Sequence, residues 1–227
     1  FLQKAFIDKL DFHSYVAKQM FNLSCEVNEV KKYYPNERQY AKAITFGIMY
    51  QAGPAKIAET VNKDAKPGEE ITTPQSKQFI QKYFNEARSL KKFIDASNQQ
   101  IENHAFIYSF FGRKRRLPEA KSPNRGVAQH AIRSGVNFLV QSVASDINVL
   151  GVIDLVKWIE RKGYTEDIKP FTVVHDSIVS EVREDLVDEY IENARKCIQT
   201  DRGLSIPGCP IKVDFEIGPS WGELIEQ

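Results

Sequence analysis

Residues 38–50, Arg-Gln-Tyr-Ala-Lys-Ala-Ile-Thr-Phe-Gly-Ile-Met-Tyr, divide into two unlike sides when wound as a helix. Arg38, Lys42, Phe46 and Tyr50 recur every fourth position, and each step advances about 40° around the axis, so they sweep one broad face. Ala41, Ile44 and Ile48 fall on the opposite side, which makes that side the one to bury. Any fold that contains this segment must cover the second side and leave the first available. Two cations followed by two rings suit a ligand with a polyphosphate at one end and a flat base at the other. Arg and Lys neutralise phosphate oxygens, and an aromatic ring stacks on a base or sugar. Taken alone, the same spacing also describes an ordinary amphipathic surface helix with solvated charges.

The 227 residues are enough to bury a real core, as one large domain or two small ones. Basic and acidic residues number 31 and 30, so the net charge is +1 and any nucleic-acid surface must be local. That balance argues against a histone-like binder and leaves open an enzyme with one basic cleft. Cys25, Cys197 and Cys209 are odd in number and lack a C-x-x-C spacing, which fits reduced thiols in a cytoplasmic protein. The sequence reads as having no apolar run near the length of a membrane span, and so no membrane partner. It opens on Phe1, already inside an amphipathic-looking segment, and the expectation is a truncated, processed or split polypeptide.

Helices dominate the element pattern. Residues 1–34 read as helical pieces, with Asp11 capping a helix that runs to about Phe21. The helix bearing Arg38 follows Pro35 and Asn36, and a second helical block spans residues 74–103 after a polar loop at 62–70. Alternation predicts a short strand over 106–110, ending in a basic turn at Gly112. A long helix from near Asn124 to Lys162 is closed by Gly163. Residues 171–174 and 178–182 form two strands joined at His175-Asp176, 186–200 is helical, and 211–217 alternates like a half-exposed strand. The fold class is α+β: mostly helical, with a small antiparallel sheet late in the chain.

Three further constellations carry chemistry. An Asp at a rigid hairpin tip, as at Asp176, is placed to bind a hard cation together with phosphates, although an isolated pair such as His175-Asp176 is more often a plain turn. Arg133, Asn137 and Gln141 share one helix face, and their amides can reach minor-groove acceptors that hardly differ between base pairs. Arg113, Lys114, Arg115 and Arg116 concentrate four cations at a turn, enough to neutralise several phosphates or simply to form a solvated face. His104 and His130 fit no ligand spacing, and Gly-rich phosphate loops, Ser-His-Asp sets and zinc patterns are missing.

In order along the chain, these motifs resemble those of the family A DNA polymerases. The first matches the family's Arg-x-x-x-Lys-x-x-x-Phe-Gly-x-x-Tyr, with Gln51 where Gly is usual. Residues 112–118 resemble Phe-Gly-Arg-Arg-Arg-x-x-Pro, and 133–146 resemble Arg-x-x-x-Asn-x-x-x-Gln-x-x-x-x-Asp, with Leu139 for Pro and Ser142 for Gly. His175-Asp176 resembles Val-His-Asp-Glu with Ser177 replacing Glu, and residues 210–221 resemble the carboxy-terminal strand. Asp11 and His13 resemble an Asp-x-His helix start, read here as capping or packing.

The resemblance implies part of a right-hand polymerase fold: a palm-proximal helical segment over 1–30, fingers over 31–125 and a carboxy-terminal palm portion over 126–227. It implies a DNA-directed DNA polymerase in which Arg38 and Lys42 grip the triphosphate of a dNTP and act in catalysis, Phe46 stacks on the nucleotide and Tyr50 guards the templating side. Arg113, Arg115, Arg133, Asn137, Gln141 and His175 would contact primer-template DNA. Asp176 would be a catalytic ligand of two Mg²⁺ ions, whose other carboxylate lies on the family's first palm motif. That motif is not in these residues, so an amino-terminal polymerase fragment is the expected partner, completing palm and thumb. A non-catalytic DNA-binding subunit of the same fold is the alternative. Phe46 and the His175-Asp176-Ser177 context point away from a single-subunit RNA polymerase relative.

Overall fold

The computed structural model describes residues 2–63, 65–206 and 208–226. The chain forms two compact units, the first running to Leu139 and the second starting at Val140.

The first unit opens with α1 (Leu2–Ile7), α2 (Phe12–Phe21) and the short α3 (Val30–Tyr33), followed by α4 (Pro35–Met49), which carries the Arg38 face. Then come α5 (Pro54–Asn62), α6 (Thr73–Glu86) and α7 (Arg88–His104). Caps fix several of these ends. The Asp11 carboxylate accepts the Ser14 N–H at 2.9 Å, Thr72 and Gln75 form a capping box, and Pro35 and Pro54 open α4 and α5. Ala41, Ile44 and Ile48 are buried, as the periodicity requires, among Val16, Ala17 and Met20 of α2 and Ile57, Ala58 and Val61 of α5. Fully burying each Ile contributes roughly 1.5–3 kcal/mol.

The end of α4 explains one departure from the family pattern. The Ala52 N–H donates to the Gly47 carbonyl at 2.7 Å and the Gln51 N–H to the Ile48 carbonyl at 3.0 Å, the paired bonds of a Schellman cap. Gln51 therefore sits at φ +53°, a left-handed conformation that glycine adopts without strain. The Asn98 amide donates to Gln51 Oε1 at 3.1 Å and ties this cap to α7.

Strand β1 (Phe106–Tyr108) pairs antiparallel with β2 (Lys114–Arg116), with Tyr108 opposite Lys114. A second apolar cluster joins Ile94 and Ile101 of α7, Ile107 and Leu117 to Ala131, Ile132 and Val136 on the first part of α8 (Arg125–Lys162). The basic run expected as a turn is thus partly a strand, because turn formation is confined to residues 109–113, where the Ser109 N–H donates to the Arg113 carbonyl.

In the second unit, Leu155, Trp158 and Ile159 of α8 pack with Ile168, Leu186 and Ala194. Strand β3 (Ile168–Val174) pairs antiparallel with β4 (Ser177–Val182), and α9 (Val187–Gln199) follows. Phe171 has no partner in the ladder and forms a bulge between Pro170 and Thr172. The tail ends in β5 (Glu216–Ile217) paired with β6 (Ile225–Glu226).

Several expectations need correction. The block at 74–103 is two helices, because Ala87 leaves helical geometry at φ −97°, ψ 50° without any Gly or Pro to announce it. Helix α5 was not expected, although Pro54 and the Ile57, Ala58, Val61 spacing mark it. Of the strand at 211–217 only Glu216–Ile217 forms. Helix α8 is long and apolar enough to cross a membrane by length and composition alone, contrary to the reading that no run approaches that length. Asn137, Gln141, Asp146 and Asn148 interrupt it.

At Gly47 helix α5 comes close against α4. A Cβ there would lie 2.6 Å from Ile57 Cγ1 and 2.9 Å from its Cδ1. Gly47→Ala should cost about 1–3 kcal/mol in urea unfolding, and Ile57→Ala in the same chain should remove most of that added cost. Additive losses in the double variant would disprove the clash.

Candidate nucleotide and nucleic-acid site

The Arg38 face of α4 stands open. Lys42 is exposed and makes no hydrogen bond or ion pair among the described residues, and the rings of Phe46 and Tyr50 are each about half exposed. Arg38 is held from behind. Its Nε donates to Asp11 Oδ2 at 2.8 Å and its Nη2 to Asp11 Oδ1 at 2.9 Å, a bidentate pair. Asp11 therefore both caps α2 and aims the guanidinium one helix away. The Arg38 bonds hold the Asp11 carboxyl far below the usual carboxylate range, and Asp11 in turn raises Arg38.

His13 completes the patch. Its ring lies 5.9 Å from Phe46 and 5.4 Å from Phe12, and its Nδ1 is buried without a hydrogen-bond partner among the described residues. Burial lowers the His13 pKa first, with the nearby Arg38 charge adding to the effect. His13 thus sits beside two cations and a ring, surroundings that favour its neutral form. Sequence reasoning took the Asp-x-His start as capping or packing. It missed that α2 sets both side chains against α4, which only the pairing of the two helices reveals.

The basic segment is layered. Arg115 donates from Nη2 to Ser134 Oγ at 2.7 Å and lies 5.4 Å over the Phe138 ring, while Arg113 lies 5.7 Å over the same ring and is exposed. Both expected DNA-binding arginines are therefore gathered along α8. Arg133 and Asn137 are half-buried on that helix, and Gln141 is exposed further along it.

His175 and Asp176 occupy the two-residue tip of the β3–β4 hairpin, where Val174 pairs with Ser177, and both are exposed. His175 adopts φ +56°, a conformation in which His is among the more tolerated residues. Asp176 offers a single carboxylate. Among the described residues no group of three or more His, Cys, Asp or Glu converges, so these residues by themselves do not fit a Mg²⁺ cage. Beside the hairpin runs an apolar cleft of about 720 Å³, lined by Phe171, Val179, Tyr190, Phe215 and Trp221 among others. Phe171 and Trp221 meet edge to face at 6.5 Å.

The model of DNA polymerase family A matches residues 1–223. This chain belongs to that family. It is 50% identical over 214 residues to the DNA polymerase of Escherichia phage T5, covering 91% of this chain and 25% of that protein. It is 28% identical to DNA polymerase I of Pseudomonas aeruginosa, covering 98% of this chain and 22% of that one. Its fold is similar to the POL domain of Pol1 from M. smegmatis, solved in complex with DNA primer-template and dNTP. That likeness has a TM-score of 0.77 at 25% identity, over 93% of this chain and 34% of the other. The chain thus spans about a quarter of the length of the relatives it matches. The α+β class and the polymerase fold expected from the sequence are what the structure has.

The His13 environment gives a direct test. The imidazole should titrate below its ordinary value of 6.5 by NMR. Because its folded pKa is depressed, the stability it supports is present above pH 6.5 and lost as pH falls through the folded value. Arg38→Ala should move the midpoint upward, since it removes a cation and releases the Asp11 charge. A midpoint unmoved by that change would show that the two groups are not coupled.

Proposed function

We propose that this chain supplies the nucleotide-gripping and part of the DNA-holding and metal-binding surfaces of a DNA-directed DNA polymerase. In this reading it transfers a nucleotidyl group from a dNTP to a primer 3′-hydroxyl under template direction. The observation that carries the reading is the open face of α4, with Arg38 pre-aimed by Asp11 and Lys42, Phe46 and Tyr50 following along one side. Arg38 and Lys42 hold the triphosphate and stabilise charge on the departing pyrophosphate. Phe46 stacks on the incoming nucleotide, Tyr50 closes the templating side, and His13 packs against the Phe46 ring. Arg113, Arg115, Arg133, Asn137, Gln141 and His175 hold the primer-template. In domain terms, residues 1–30 are palm-proximal, 31–125 are fingers and 126–227 are the carboxy-terminal palm.

Asp176 contributes one ligand toward the pair of Mg²⁺ ions the family resemblance implies, and the remaining carboxylates come from another polymerase segment. That segment belongs to an amino-terminal fragment acting as a partner, which also supplies the thumb. The apolar cleft beside the hairpin and the exposed Phe171, Val173 and Val174 support such a partner, because a two-stranded ribbon with bare apolar side chains is marginal alone. The setting is the cytoplasm of a bacterium or of a phage-infected cell. A second reading, a non-catalytic DNA-binding subunit, is favoured by Ser177, which cannot replace the carboxylate usual beside Asp176.

Primer extension separates the readings. The chain combined with an amino-terminal polymerase fragment should extend a primer, and Asp176→Asn should abolish extension while DNA binding persists. DNA binding with no extension in any combination would favour the second reading. In the active combination, Lys42→Ala should weaken nucleotide use by about 1.5–3 kcal/mol with primer-template affinity retained. Unchanged nucleotide affinity and turnover would remove Lys42 from the site.

A further inference from the structure

The β1–β2 ribbon has an outer face that the polymerase reading leaves unused. Side chains alternate across a ribbon, so Ile107 and Arg115 point one way, and Phe106, Tyr108, Lys114 and Arg116 the other. The inner pair is accounted for, with Ile107 in the core and Arg115 on Ser134 and Phe138. The outer set is a layer of rings and cations. Phe106 and Tyr108 meet edge to face at 5.5 Å, and Lys114 Nζ sits 3.8 Å from the Phe106 ring and 5.6 Å from the Tyr108 ring. Tyr108 is 49% exposed and Phe110, at the turn, 54%. Lys114 and Arg116 are exposed, and among the described residues no ion pair joins either to a carboxylate.

We propose that this outer face binds the unpaired template strand, with a base stacked on Tyr108 and phosphates held by Lys114 and Arg116. The inference rests on the polymerase reading above and adds a site to it. Exposed rings beside uncompensated cations suit a single strand, whose splayed bases can reach a ring face. A duplex offers only base edges in its grooves and cannot use the rings. An apolar protein partner would have to desolvate Lys114 and Arg116 without compensation. The template is the strand that must arrive unpaired, and the ribbon lies in the same compact unit as the Arg38 face.

The test uses the extension-competent polymerase containing this chain. Fluorescence anisotropy compares three DNAs: a primer-template with a long 5′ template overhang, a blunt duplex, and a duplex whose only single strand is a displaced flap. Tyr108→Ala should weaken overhang binding by about five-fold or more, leave the blunt duplex unchanged, and retain the parent's melting temperature. Tyr108→Phe should restore the overhang affinity. Lys114→Ala should reduce the slope of log affinity against log salt on the overhang by about 0.7. A 2-aminopurine in the overhang should be quenched by the parent and less so by Tyr108→Ala. Overhang affinity indifferent to Tyr108, an equal loss on blunt duplex, or a loss confined to the flap would each overturn the inference. A parent that binds no primer-template at all would instead refute the polymerase reading.

Discussion

The burial of one stripe on α4 decides where everything on that helix points. With Ala41, Ile44 and Ile48 packed against α2 and α5, the helix has no freedom to rotate, and Arg38, Lys42, Phe46 and Tyr50 are presented outward as a set. The helix is also fixed along its axis. Pro35 starts it, a Schellman cap ends it, and Gly47 lets α5 approach to within contact of the backbone. The Asp11–Arg38 pair then acts on a helix that is already immobile. Half-exposed ion pairs of this type contribute only about 0.2–1 kcal/mol to stability, so its main effect is on where the guanidinium points.

Much of this was legible in the sequence, for identifiable reasons. The α4 faces follow from period 3.6, the β3–β4 hairpin from two apolar runs around His175-Asp176, and the α8 stop from Gly163, which adopts φ +75°. The misses share a cause. The break at Ala87 and the reach of α2 toward α4 depend on tertiary contacts that leave no local mark. The basic segment looked like a turn because four cations hide an alternation that only its partner strand exposes. Cleft and ribbon surfaces are likewise properties of pairing, and no single run of residues encodes them.

Gln51 shows how a family rule and its exception share one physical basis. The position requires a left-handed residue, so glycine is the easy choice. A side chain there costs backbone strain of about 1 kcal/mol or more, against which the contact with Asn98 on α7 can be set.

The bulge at Phe171 has a consequence for how this hairpin can change over time. Below the bulge, Ile168 is anchored in the core of the second unit; above it, the ladder has shifted by one residue before reaching Asp176. Loss of that single residue would leave the same partners, from Ile168 opposite Val182 to Val174 opposite Ser177, in one unbroken ladder, so the tip would keep its register and only the local kink would go. Phe171 is therefore the one residue of β3 whose loss would cost no ladder pair. A one-residue gap in this hairpin should fall at Phe171, and not at the paired positions on either side of it.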